Sequence, residues 1–127
     1  MISYWGVDHG FEVSKASKRD ADYLKNHARA NAALGALPGV YGLAGSTTHA
    51  AVKAKPGRKG KAALRAGGGQ FLGQTAGSIA GLAAGAPGVL AGSIAGGAGG
   101  AYAGSRRNVS RGDIEPLSAR KKRLNYS

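Results

Sequence analysis

The chain has no cysteine, which excludes disulfide staples and thiolate metal sites and leaves its compartment open. Large apolar side chains are scarce. Two Phe, one Trp and one Met stand among 127 residues, so the hydrophobic fraction is mostly alanine, which buries little area per residue. The sequence therefore predicts a mostly α chain that is not a compact globule on its own, with partners, lipid or self-assembly supplying the missing burial. Acids are scarce too: six Asp and Glu against 18 Lys and Arg give a formal charge of +12. That excess favours anionic partners, whether nucleic acid, anionic lipid or an acidic protein face, over a merely solvated basic surface. The opening MISYWGVDHG has neither a basic n-region nor an apolar h-region, which argues against a secretory leader.

Catalytic chemistry is equally thin. His9, His27 and His49 are scattered. Asp8, His9 and Glu12 are the one cluster that could touch a metal, and they read more simply as polar residues of a solvated arm. The glycine-rich stretches contain no G-x-x-x-x-G-K-[ST] phosphate loop. The basic segments lack the interleaved aromatics of a single-strand platform. No catalytic residue, metal or cofactor is expected, and the chain reads as a non-enzyme.

What is present is ordered along the chain. Residues 1–13 form an extended arm, punctuated by Gly6 and Gly10, with Tyr4, Trp5 and Phe11 as docking aromatics. Residues 14–52 hold a helix and a broken uncharged segment. Ser14 or Ser17 caps the helix, with Asp20 completing a near capping box. Ala21, Leu24, Ala28 and Ala32 mark its apolar face, and Pro38 ends or kinks it. Residues 53–65 are a basic loop carrying Lys53, Lys55, Arg58, Lys59, Lys61 and Arg65. A basic tail, 106–127, carries Arg106, Arg107, Arg111, Arg120, Lys121, Lys122 and Arg123.

Between these basic segments lie forty residues, 66–105, with no charge at all. Glycine recurs there every fourth residue: Gly69, Gly73, Gly77, Gly81 and Gly85, then after Pro87 Gly88, Gly92, Gly96, Gly100 and Gly104. Residues 73–86 and 88–101 align without gaps and agree at 10 of 14 positions, a duplicated helical unit. A small-residue row at a spacing of four allows helix backbones to approach closely, which is the pattern of a glycine zipper. It is costly in water, because each glycine costs about 1 kcal/mol against alanine inside a helix. A helical hairpin turning at Ala86-Pro87-Gly88 gives arms about 26 Å long, slightly short for a hydrocarbon core about 30 Å thick. Both its ends are basic, so the positive-inside tendency places them on one side of a membrane. Its few strong apolar residues make entry into lipid conditional.

The zipper region looks like small glycine-zipper proteins of bacteriophages. The opening YWGVDHG with the following EVSKA resembles the start of small proteins encoded by phages of actinobacteria. These likenesses imply a phage virion or membrane protein and carry over no functional residue. The expected function is an interior or tail-associated virion protein that packs against its own copies or neighbouring virion proteins and aids genome delivery. Lipid contact is conditional and DNA contact non-specific. The alternatives are a holin-like protein of the host inner membrane and a minor capsid protein whose basic segments contact DNA.

Overall fold

A computed structural model of the protein describes residues 2–125, with side chains from Lys18 onward. The described residues are mostly helical: α1 Ile2–Gly35, α2 Val40–Lys53, α3 Lys59–Gly81, a 3-10 turn Leu82–Ala84, α4 Gly85–Ser110 and α5 Leu117–Asn125.

Several expected boundaries move, each for a local reason. No proline precedes Pro38, and a glycine lowers helix propensity without breaking the hydrogen-bond ladder as proline does. Backbone helix therefore runs through 2–13, where an extended arm was expected, and Ser14, Ser17 and Asp20 lie inside α1 rather than at its start. The side chains of Tyr4, Trp5 and Phe11, like those of Asp8, His9 and Glu12, lie outside the described residues. The basic loop contracts to Ala54–Arg58: Lys53 closes α2, and Lys59, Lys61 and Arg65 belong to α3. The tail is helical too, with Arg106 and Arg107 on α4 and Arg120, Lys121, Lys122 and Arg123 on α5. The hairpin turns at Leu82–Gly85, where Gly85 adopts the left-handed φ of 74° that costs glycine least. Pro87 instead stands in the first turn of α4, where its missing N–H is not needed.

Helices α1 and α2 fold back on each other at Pro38-Gly39 and pack against the lower parts of α4 and α3. Gly35 meets Gly97 and Ala101, and Gly42 meets Gln70. Asn31 donates to the Ser105 hydroxyl, and Gly67 closes on Thr47 and Leu43. Among the described residues the buried apolar ones are six alanines and Ile114, so the core rests on close backbone approach more than on large side chains. Of the face expected on α1, Ala28 is buried and Leu24 and Ala32 half-buried, while Ala21 is exposed. The buried row is completed by His27, Asn31 and Gly35.

The far end of the bundle is closed by two loops. Ala54 pairs with Ile114 in an isolated antiparallel bridge. Lys55 N–H donates to the Asp113 carbonyl at 2.8 Å, and Glu115 N–H to the Lys53 carbonyl at 3.0 Å. Arg65 pairs with the Asp113 carboxylate, Asn108 Nδ2 donates to the Ala62 carbonyl at 2.9 Å, and Arg123 grips Glu115 through two bonds of 3.0 and 3.1 Å. Asp20 accepts from the Ser118 N–H at 3.2 Å and from its hydroxyl, holding the start of α5 to α1.

Candidate functional site: the glycine seam and the uncharged end

The glycines of α3 and α4 face one another. A methyl group on Gly69, Gly73, Gly77 or Gly81 would strike the carbonyl of Gly100, Gly96, Gly92 or Gly88 respectively, and the reverse substitutions would strike the same partners. Each step of four along α3 is matched by a step of four back along α4. For Gly77 the added carbon would lie 2.7 Å from the Gly92 carbonyl carbon and 3.1 Å from the Gly96 Cα. At such separations backbone meets backbone, and Cα–H···O contacts and dispersion act along the whole seam. The last two of the ten spaced glycines differ. Gly104 closes on the Arg65 backbone rather than on a glycine, and Gly85 is the turn residue, with nothing within 4 Å of its added carbon.

With backbone filling the interface, the hairpin turns its side chains outward. No residue from 71 to 96 is buried. Phe71, Leu72, Ile79, Leu82 and Leu90 are each more than half exposed, and Ile94 is 39% exposed. The bundle therefore ends near Gln70 and Gly97, and the hairpin projects beyond it by the last 11 residues of α3, about 17 Å, and the turn. Where it emerges, the α1–α2 turn adds Leu37, Val40 and Tyr41, the last two 76% exposed.

The hydroxyls on this projection bond back to their own helices. Thr75 donates to the Phe71 carbonyl at 2.9 Å, Ser78 to Gln74 at 2.8 Å and Ser93 to Leu90 at 2.8 Å. Gln70 Nε2 donates to Gln74 Oε1 at 2.6 Å. Hydroxyls that bond back to their own helix present little unmet polarity to an apolar solvent.

Charge lies at the other end. The two uncharged stretches, 30–52 and 66–105, are far apart in sequence, yet the fold brings their central parts to one end of the molecule. The basic residues Lys53, Lys55, Arg58, Lys59 and Lys61 cluster with Arg111 and α5 at the opposite end. Arg65, Arg106 and Arg107 stand higher on the hairpin stem. By length and composition, Lys59–Ser110 contains a stretch apolar enough to cross a membrane, and none of that stretch is buried.

Sequence reasoning missed one side-chain pair. His27 of α1 and His49 of α2 stack with ring centroids 4.7 Å apart and planes 14° from parallel. His27 is 4% exposed, and both its ring nitrogens lack a hydrogen-bond partner. Burial, helped by the charges of His49 and Lys53, lowers its pKa to about 4, and burial also lowers that of His49. The only sequence signal was position: His27, Asn31 and Gly35 repeat at intervals of four on α1. Among the described residues no group of three His, Asp or Glu is placed to hold a metal.

In comparison with known proteins, no family model, curated sequence or solved structure matches this chain.

Proposed function

We propose that the chain is a non-enzymatic glycine-zipper protein that inserts its hairpin tip into one leaflet of a membrane and keeps its charged end in water. The observation that carries this is the polarity of the fold. One end is uncharged, apolar outside and internally hydrogen-bonded; the other holds the charged side chains. The projecting length of about 17 Å suits a single leaflet, roughly half of a 30 Å hydrocarbon core. Leu37, Val40 and Tyr41 then lie at the interface, where amphipathic rings are favoured. Exposed apolar patches of this extent are unusual on soluble monomers.

Entry is conditional because the driving force is small. Phe71, Leu72, Ile79, Leu82, Val89, Leu90 and Ile94 supply about −0.5 kcal/mol each, roughly −3.5 kcal/mol together. The biological frame of the proposal is the phage particle suggested by the resemblance: a virion protein packed beside copies or neighbours, which meets the host membrane when the genome is delivered. A holin-like protein would use the same hairpin. Flotation of the full chain with neutral vesicles tests insertion, and the protein should float with them. Leu82→Asp places a charge costing about 3 kcal/mol at the tip and should reduce partition about 100-fold. A chain that stays out of neutral vesicles would overturn the proposal. Mass spectrometry of purified phage particles tests the frame: copies in the particle support a virion protein, and absence supports the holin-like role.

A further inference from the structure

The basic end makes no use of most of its own charge. Of the described acids there, Asp113 is occupied by Arg65 and Arg58, Glu115 by Arg123 and Asp20 by Ser118, while Asp22 is exposed on α1. Lys55, Lys59, Lys61, Arg111, Lys121 and Lys122 are all exposed, and none makes an ion pair among the described residues. They come from three separate segments, the 54–58 loop with the start of α3, the 111–116 loop and α5, which the Ala54–Ile114 bridge gathers at one end. The N-terminus of α3 points the same way and adds partial positive charge.

We propose that this end binds the phosphate backbone of double-stranded nucleic acid, without sequence preference, while the hairpin tip is in lipid. The choice of polyanion rests in part on the membrane reading above. From Gly97, where the hairpin leaves the bundle, to Arg111 is 14 residues of helix, about 21 Å. Screening in salt acts over about 8–10 Å, so the membrane that holds the tip does not reach the cations at the other pole. The run from Lys55 to Lys61 contains only Pro, Gly and further cations, without the apolar or aromatic anchor through which a protein partner is held; Leu124 on α5 and Val52 on α2 are the exposed apolar side chains near it. Repeated phosphates need no anchor. They need unpaired Lys and Arg, and binding releases counterions. No element here is shaped to read base edges, so contact with the backbone alone is the expected mode.

The test uses the full chain, a short random-sequence DNA duplex, and vesicles of neutral or of anionic lipid. The duplex should bind, with affinity falling about 10³-fold between about 50 and 200 mM salt. Replacing Lys55, Lys59, Lys61 and Arg111 together by Gln leaves every ion pair among the described residues in place. It should lower affinity at least about tenfold and make the log–log salt slope shallower by about 3 to 4, with circular dichroism and flotation on neutral vesicles unchanged. Labelled duplex should float with neutral vesicles only when the protein is present, because the two poles act at once. Several results overturn the proposal: no duplex binding, binding insensitive to salt or to the four substitutions, strong preference for one sequence, or loss of the four cations acting only on anionic vesicles. Failure of the duplex arm with intact flotation removes this proposal alone. Duplex binding without flotation removes the membrane reading and leaves the charge-driven contact standing.

Discussion

Neighbouring glycines in one helix should respond to alanine with opposite signs. At Gly99 an added methyl meets nothing within 4 Å, whereas at Gly100, one residue on, it would lie 2.7 Å from the Gly69 carbonyl carbon and 3.2 Å from the Gly73 Cα. In α3 the same contrast separates Gly68, in open space, from Gly69, 3.2 Å from the Gly100 carbonyl carbon. Alanine at Gly99 or Gly68 gains helix propensity and loses no contact, which should stabilise by about 0.5–1 kcal/mol.

At Gly100 the propensity gain is the same, but the contact must open from 2.7 Å towards the 3.4 Å of ordinary packing. A gap of 0.5–1 Å forfeits about a quarter to a half of each dispersion contact, and both atoms in conflict are backbone, with no rotamer to escape through. Overpacking of this kind costs about 1–3 kcal/mol and should spread along the seam because the pairs share two stiff helices. The net expectation is destabilisation by about 1–2 kcal/mol for Gly100→Ala, about 2–3 kcal/mol away from Gly99→Ala. Sequence alone ranks alanine as a mild replacement at any spaced glycine. The backbone separation makes it a severe one at the seam. Urea unfolding of the full chain followed by far-ultraviolet circular dichroism measures the difference as shifts of midpoint in opposite directions. If Gly100→Ala is as stable as Gly99→Ala, the seam does not hold the hairpin together.

Three further expectations concern other parts of the fold. His27 has a folded pKa of about 4 against about 6.5 unfolded, so the unfolded chain takes up its proton first. Stability should be full above about pH 6.5 and fall as pH drops towards 4, by about 2 kcal/mol once screening at the ring edges is allowed for; His27→Gln should flatten that dependence in pH-series unfolding, and an unchanged slope would refute the assignment. Asp113→Asn removes the partner of Arg65 and Arg58 and should cost about 2 kcal/mol, with Arg65→Gln in the same background adding little in a double-mutant cycle. Gly85→Ala forces a methyl onto a φ of 74° and should destabilise by about 1 kcal/mol or more although no atom is in the way, which thermal unfolding reads directly.

The fold class and the hairpin were legible because glycine spacing is a one-dimensional signal: the row at intervals of four appears in the sequence and again in the interface. Pro38 marked a helix end for the same reason, since proline removes a donor wherever it falls inside a helix. Pro87 misled, because three residues before it Ala84 ends a 3-10 turn and Gly85 supplies the reversal, so proline sits where a helix tolerates it. The basic segments read as loop and tail because charge and glycine density suggest solvation, yet Lys59–Arg65 and Leu117–Asn125 are helical once the Ala54–Ile114 bridge fixes their starting points. The bundle around the stem was the least legible part. Its buried faces are small and polar, with Asn31, Ser46, Gln70, Ser105 and Asn108 fully buried, and a periodicity search weighted towards large apolar residues passes over them. Only the fold shows that the two uncharged stretches share one end.

The seam also bears on which solvent the hairpin suits. Eight glycines face one another across it, and their intrinsic penalty in helices sums to about 8 kcal/mol against alanine. A hairpin meant only for water would use larger residues inside, gaining burial as well as propensity. What glycine supplies instead is a thin, dry interface of backbone with every sizeable side chain displaced outward. In water that arrangement leaves Phe71, Leu72, Ile79, Leu82 and Leu90 exposed with nothing gained. In lipid, where large side chains lose nothing by facing outward and helix association depends on close packing, the same residues become an asset and the backbone hydrogen bonds strengthen. The stem is built on the other logic, with small polar side chains such as Asn31, Ser105 and Asn108 inside and its charges outermost. On the proposed membrane reading, two halves of one hairpin answer to different solvents, and the boundary between them falls at Gln70 and Gly97, beside the α1–α2 turn.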